Sequence, residues 1–202
     1  MTKTLKMILA AATALVMLAP QAHGEEAQDV PEIVKETYMV GDSLTYHGAD
    51  ELQARRPPWT IDGERGRRID MLNPLLDEYI QNVGYPKQLV IALGTNEGPD
   101  FFTKDVYETA VSKVPDSTRI VFVTMYRDPE VFGQERADFL QQASKWMKEI
   151  AETRPNTAIA DWRRKINHYP QLLRDGVHAN DRGERKWAEL IDDAMTLLNQ
   201  GP

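Results

Sequence analysis

The chain has 202 residues, 31 acidic against 24 basic, a net charge of −7 and no cysteine. That length suits one domain with a sizeable core. The missing cysteines exclude disulfides and a lipid-anchored Cys, and the acidic balance makes the chain as a whole a poor binder of nucleic acid or anionic membrane.

Lys3 and Lys6 precede an apolar run from Met7 to Ala19, which Pro20 breaks and Ala22-His23-Gly24 follows. This order predicts a cleaved secretory signal peptide over residues 1–24 and a periplasmic or secreted product. This run of 13 residues would make about 20 Å of helix, short of a hydrocarbon core of about 30 Å. No stable membrane insertion is therefore expected after cleavage. Taking the leader's two lysines from 24 leaves 22 basic against 31 acidic, a balance of −9. Residues 25–36 are expected to form an acidic lead-in, and residues 37–202 one domain.

Five β-like runs alternate with helical patterns in that domain. The first, Thr37 to Val40, breaks into Gly41-Asp42-Ser43-Leu44. The second, Trp59 to Asp62, follows Arg55-Arg56-Pro57-Pro58. Asn73-Pro74 has the form of a helix cap with proline at the first helical position, and Leu75, Leu76, Tyr79, Ile80 and Val83 follow at helical spacing. The third run, Gln88 to Leu93, is nearly all apolar, as a strand buried on both faces should be. A helix is predicted over Asp105 to Val114, a fourth strand over Arg119 to Tyr126, and a long helix over Gln134 to Thr153. The fifth strand is expected over Thr157 to Trp162, then a loop, then a helix from Asp181 to about Asn199. Its inward stripe should be Trp187, Leu190, Ile191, Ala194, Leu197 and Leu198. Such alternation predicts a three-layer α/β/α sandwich on a parallel sheet.

Beyond residue 24 the serines are Ser43, Ser112, Ser117 and Ser144, and the histidines His47, His168 and His178. Ser112 and Ser144 fall in predicted helices and Ser117 in a Pro-Asp-Ser-Thr turn. Ser43 alone follows a predicted strand, at the edge where open α/β sheets bind ligands. A serine nucleophile needs a base, an orienting acid and donors for the oxyanion. Asp175-Gly176-Val177-His178 places a carboxylate three residues before an imidazole, a spacing that lets it reach Nδ1 and leaves Nε2 for Ser43. Asn96, in Gly94-Thr95-Asn96 after the third strand, can aim its amide at an oxyanion. Gly66, in Gly63-Glu64-Arg65-Gly66-Arg67-Arg68, can bring a backbone N–H to the same point. Taken singly, each of these is as readily a turn or loop residue. Together and in this order they point to one catalytic site, which calls for no cofactor and no metal.

Gly41-Asp42-Ser43-Leu44, Gly66, Gly94-x-Asn96 and Asp175-x-x-His178 resemble the four blocks of the SGNH (GDSL) hydrolase family, over roughly Thr37 to the C-terminus. The resemblance implies a flavodoxin-like sandwich with five parallel strands. It implies Ser43 as nucleophile, His178 as base and Asp175 as orienting acid. The Ser43 and Gly66 N–H groups and the Asn96 side chain would be the oxyanion donors. Glu97 stands where the family usually has Asp in the third block. Asp62-Gly63…Gly66-Arg67, Gly94-Thr95-Asn96, Asp161-Trp162 and Asp175-Gly176-Val177-His178 look more like the extracytoplasmic SGNH domain of cell-wall O-acetyltransferases. Those proteins usually carry a membrane acyltransferase domain that supplies acyl groups, and none is expected here. The implied activity is a free-standing esterase or deacetylase, or a transferase served by a separate acyl-donor protein.

The expected substrate is an O-acyl, above all O-acetyl, ester of an extracytoplasmic glycan. Arg67 and Arg127, with Arg65 and Arg68, would give a positive rim suited to an anionic glycan, or else are solvated surface arginines. Tyr126, Tyr46 and Trp59 would stack on sugars, or else pack. Two other readings stay open: a lipid esterase or thioesterase, and a non-catalytic glycan-binding module on the same scaffold.

Overall fold

A computed structural model describes residues 33–55, 59–98 and 102–200. The expected leader, most of the lead-in and the segment Arg56-Pro57-Pro58 lie outside the described residues. The strands are β1 (Ile33–Gly41), β2 (Trp59–Gly63), β3 (Tyr85–Ala92), β4 (Arg119–Val123) and β5 (Thr157–Ala160). They form one parallel sheet in the order β2-β1-β3-β4-β5. The order reverses direction between β1 and β3, which opens a crevice at their carboxyl ends.

Strand side chains alternate between the two faces of the sheet. Tyr38, Val40, Leu89, Ile91, Ile120 and Phe122 face one layer of helices, α2 (Leu72–Asn82), α3 (Asp105–Ser112) and α5 (Gln134–Thr153). Met39, Val90, Ala92, Val121, Val123 and Ala160 face the other, α1 (Ser43–Arg55), α6 (Trp162–His168) and α7 (Asp181–Gln200). Each helix offsets its backbone entropy through one apolar stripe. On α5 the stripe is Leu140, Ala143, Met147 and Ile150, at the three- and four-residue spacing of one helical face. Fully burying a Leu or Met side chain contributes about 1.5–3 kcal/mol.

Several details differ from those expected from the sequence. β1 starts at Ile33, because Ile33 and Val34 pair with Tyr85 and Pro86 across a register shift before Thr37. The polar Lys35-Glu36 pair hides that extension from a search for apolar runs. β5 ends at Ala160, and β4 at Val123. The expected loop after Trp162 begins as α6, capped by Asp161, whose carboxylate accepts the Arg164 N–H at 3.1 Å. Asn73 is not a cap. It lies inside α2, and its amide donates to the Val106 carbonyl at 3.1 Å. On α7, Leu197 is 68% exposed, and Ala188 and Met195 are buried instead. Leu197 falls about 120° round the helix from Ile191, off the inward stripe.

Candidate active site

Gly41 closes β1, and a Cβ there would overlap the Thr45 hydroxyl. Asp42 follows, fully buried, and caps α1. Its Oδ1 accepts the Leu44 N–H at 3.0 Å, and its carbonyl accepts the Tyr46 N–H at 2.9 Å. Burial pushes the Asp42 carboxyl pKa up, against the pull of bonds from Leu44 and Thr95 and of the Arg127 charge. Capping leaves Ser43 as the first residue of α1, 8% exposed, at the carboxyl edge of the sheet. Its backbone N–H belongs to the first helical turn, which has no intrahelical acceptor and carries the positive end of the helix dipole.

His178 Nε2 stands 3.0 Å from Ser43 Oγ, and His178 Nδ1 stands 2.7 Å from Asp175 Oδ2. The other Asp175 oxygen accepts the N–H groups of Val177 and His178 at 3.1 and 2.7 Å. Burial works to raise the Asp175 pKa. The His178 backbone and ring bonds and the Val177 bond outweigh it, and hold the carboxyl below its ordinary value. Gly176, at φ 83°, makes the turn, and its carbonyl accepts the Asp128 N–H at 2.9 Å. The turn is open to solvent: the His178 and Asp175 side chains are 30% and 48% exposed. His47 lies edge-on to His178, with ring centres 5.8 Å apart. Burial and the charges of Arg174 and Arg65 lower the His47 pKa.

The loop after β3 is held from several directions. Gly94, at φ 126°, lets the chain pass Met125 and Tyr107, which any Cβ would strike. Asn96 Nδ2 donates to the Arg67 carbonyl at 3.0 Å, and Asn96 Oδ1 accepts from Arg127 at 2.8 Å. Arg136 of α5 donates to the Asn96 and Glu97 carbonyls at 2.9 and 3.2 Å. Glu97 is 1% exposed. Its carboxylate accepts the Ile69 N–H at 2.9 Å and pairs with Arg68 at 3.2 Å. Glu97 therefore ties the β3 loop to the loop that carries Gly66. Gly66 itself is exposed, at φ 74°, with open space around it.

Three residues expected to meet substrate are engaged within the protein. Arg67 is buried. Its guanidinium donates to the Gly41 and Asp62 carbonyls at 3.1 and 2.7 Å, to the Asp62 carboxylate at 2.6 Å and to Glu64 at 3.2 Å. It is a strut between β1 and β2 rather than part of a rim. Arg127 lies over the Phe132 ring at 4.6 Å as well as on Asn96. Tyr126 is half-buried against the second core layer, with Arg163 over its ring at 5.9 Å. Trp59 is buried in that same layer. Tyr46 is exposed and carries Arg65 over its ring at 4.7 Å.

No protein-family model matches the chain. Over 165 residues it is 27% identical to the putative peptidoglycan O-acetyltransferase YrhL of Bacillus subtilis, covering 81% of this chain and 24% of that protein. The peptidoglycan O-acetyltransferase OatA of Listeria monocytogenes is 25% identical over 183 residues, 87% of this chain and 26% of that protein. The chain thus spans about a quarter of the length of these curated relatives. Among solved structures, the C-terminal catalytic domain of Streptococcus pneumoniae peptidoglycan O-acetyltransferase A superposes with a TM-score of 0.75. It is 26% identical and covers 85% of this chain and 98% of that domain. A member of the lipolytic G-D-S-L family from Veillonella parvula gives a TM-score of 0.69 at 14% identity, over 81% of this chain and 99% of that one. The chain thus shares the fold of that G-D-S-L family member and is similar in fold and sequence to the catalytic domain of the peptidoglycan O-acetyltransferase.

Around the site, several residues that carry no clear sequence signal hold its loops in place. Arg136 reaches Asn96 from 40 residues away, and nothing in an arginine on a helical face signals that contact. Phe132 and Asp128 belong to a four-residue helix, α4 (Pro129–Phe132), and its cap, in which Asp128 accepts the Glu130 N–H at 2.9 Å. Here a signal does exist, since an Asp-Pro pair is a legible helix start. Two other serines are occupied inside their helices: Ser112 Oγ donates to the Thr109 carbonyl and Ser144 Oγ to the Leu140 carbonyl.

Proposed function

We propose that this chain is a serine acyl-transfer enzyme that acts on O-acetyl esters of an extracytoplasmic glycan of the peptidoglycan class. The observation that carries the reading is the unbroken chain Ser43 Oγ–His178–Asp175, at 3.0 and 2.7 Å, on the carboxyl edge of the sheet. In this reading His178 Nε2 takes the Ser43 proton as Oγ attacks the ester carbonyl carbon. Asp175 keeps the Nδ1 proton on its own side of the ring and stabilises the imidazolium. The carbonyl oxygen becomes an oxyanion facing the Ser43 and Gly66 N–H groups and the Asn96 amide. His178 then gives its proton to the departing sugar oxygen, leaving acetyl on Ser43. Water or a second sugar hydroxyl, deprotonated by His178, releases it.

The names of the relatives support the glycan and the acetyl group. The tied-up guanidinium of Arg67 weakens the case for a wide anion-binding rim. An exported protein, cleaved near Gly24 and supplied by a separate acyl donor when it transfers, fits the same reading.

The test uses the exported, leader-free protein with O-acetylated peptidoglycan and with 4-nitrophenyl acetate. Acetate release or transfer, lost in Ser43→Ala, is expected, together with covalent labelling of Ser43 by a sulfonyl fluoride. Absence of labelling and of turnover on both substrates would leave the glycan-binding module standing. Faster turnover of long-chain than of acetyl esters would favour a lipid esterase.

A further inference from the structure

We propose that Arg127 is a positioning residue that fixes and polarises the Asn96 amide as an oxyanion donor. The inference rests on the acyl-transfer reading above and assigns to Arg127 a task different from touching substrate.

The orientation of the Asn96 amide is forced by its partners. Oδ1 faces the Arg127 guanidinium at 2.8 Å, and a guanidinium only donates. Nδ2 faces the Arg67 carbonyl at 3.0 Å, and a carbonyl only accepts. Flipping the amide would set donor against donor and acceptor against acceptor. One N–H of Nδ2 is engaged by Arg67, the residue next to Gly66. The second is the one the proposal assigns to the oxyanion.

Without Arg127 the amide would keep only its bond to Arg67 and could turn about its terminal torsion, which is broad and roughly two-fold. The guanidinium also withdraws electron density through Oδ1. A charge-assisted bond is about twice as strong as a neutral one, and bonds in sequence polarise one another. The Nδ2 hydrogens become better donors as a result.

Arg127 is itself held. Its guanidinium lies over Phe132 at 4.6 Å, and the Phe132 N–H donates to the Asp128 carbonyl at 2.9 Å. The Asp128 N–H donates in turn to the Gly176 carbonyl, in the turn that carries Asp175 and His178. Residues 127–132 thus form a bracket from the amide of Asn96 to the acid–base turn. Arg136 supports the same loop through its backbone and leaves the amide side chain to Arg127.

The experiment is a double-mutant cycle on 4-nitrophenyl acetate hydrolysis with Arg127→Ala, Arg127→Lys, Asn96→Ala and the Arg127→Ala/Asn96→Ala pair. Thermal melts accompany each variant. Misplacing a catalytic group by about 1 Å can cost about 10²-fold, so Arg127→Ala should lower kcat by roughly 10- to 100-fold with KM little changed. In the Asn96→Ala background the same change should cost almost nothing more. Arg127→Lys, which keeps a cationic donor of different shape, should recover part of the rate, and it carries the test if Arg127→Ala does not fold. Losses that multiply in the double mutant would overturn the proposal. So would a loss confined to KM, or one seen only on a carboxylate-bearing ester, since either would put Arg127 on the substrate. Full activity in Asn96→Ala would instead reject the oxyanion role of Asn96, a failure of the underlying reading that the single mutant identifies by itself.

Discussion

The turn Asp175–His178 and the loop Gly94–Glu97 each bring one polar side chain to the carboxyl edge of the sheet, but they are built in opposite ways. In the turn, the bonds that fix the imidazole come from Asp175, three residues back, and the pair stands partly in solvent. In the loop, the bonds that fix the amide and its backbone come from Arg67, Arg127 and Arg136, at separations of 29, 31 and 40 residues. Under the proposed chemistry, the group that exchanges protons with solvent and substrate is held by a short, exposed turn. The group proposed to present a fixed dipole sits in a loop clamped from three distant places, by the Arg67 carbonyl and the Arg127 and Arg136 guanidinium groups. Preorganised donors gain their effect by not having to reorient during the reaction, and rigid distant anchors supply that.

Mutations can break this comparison in order of expected size. Ser43→Ala and His178→Ala should each lower kcat by about 10⁴–10⁶-fold, with the double mutant hardly worse than either, as for residues that act as one unit. Multiplicative losses would mean that they do not. Asp175→Ala should cost less, since nucleophile and base remain. Asn96→Ala should lower kcat by about 10²–10³-fold, roughly 2.7–4 kcal/mol, with KM nearly unchanged. A change in KM alone would place Asn96 on the ground-state substrate.

Glu97→Asp sharpens the comparison from the structural side. One methylene shorter, the carboxylate should fail to reach the Ile69 N–H, now 2.9 Å away. Leaving that buried donor unpaired should cost about 1–3 kcal/mol of stability, read as a lower denaturant midpoint at unchanged slope. An unchanged midpoint would show that the loop does not depend on this tie.

The smallest effect concerns pH. The folded-state pKa of Asp175 lies below its ordinary value of 3.8. Its contribution to stability is therefore complete above pH about 4 and lost as pH falls through the lowered value. The His47 pKa is also lowered, from 6.5, so the fold disfavours the charged imidazole, and stability is lost as pH falls below about 6.5. His47→Gln should flatten the melting-temperature profile between about pH 6.5 and 5, and Asp175→Asn should flatten it below about pH 4. His47 is half-buried and the Asp175 side chain is 48% exposed, so solvent screening keeps these changes small. Parallel curves for wild type and His47→Gln would dismiss the first effect.

The same contrast explains which features were legible in the sequence. The Asp175–His178 spacing is local, so it could be read from four letters. The sheet and its layers were equally readable, because runs such as Gln88 to Leu93 are apolar on both faces and the α5 stripe repeats at helical spacing. The arginines were not. Arg67, Arg127 and Arg136 resemble any solvated arginines until the crossovers β1–β2, β3 and β4–α5 set them beside one loop. The charge of Arg67 and Arg127 suggested a rim for an anionic substrate, whereas the two direct it to carbonyls, carboxylates and an amide. α1 was hidden by Thr45-Tyr46-His47-Gly48, which has no clear apolar period, and α6 by a strand pattern that runs on into Trp162.

The openness of the turn bears on the fate of an acylated serine. With 30% of the His178 side chain in contact with solvent, bulk water reaches the group that would activate it, and under the proposed chemistry an acetylated Ser43 is exposed to hydrolysis throughout its lifetime. Transfer to a sugar then depends on residence time. A hydroxyl held in a reactive pose can act at an effective concentration of about 10⁵–10⁸ M, far above that of any solvent. The ratio of product sugar ester to free acetate therefore reports how long and how well the acceptor is seated, and a poor acceptor turns the same site into a simple esterase.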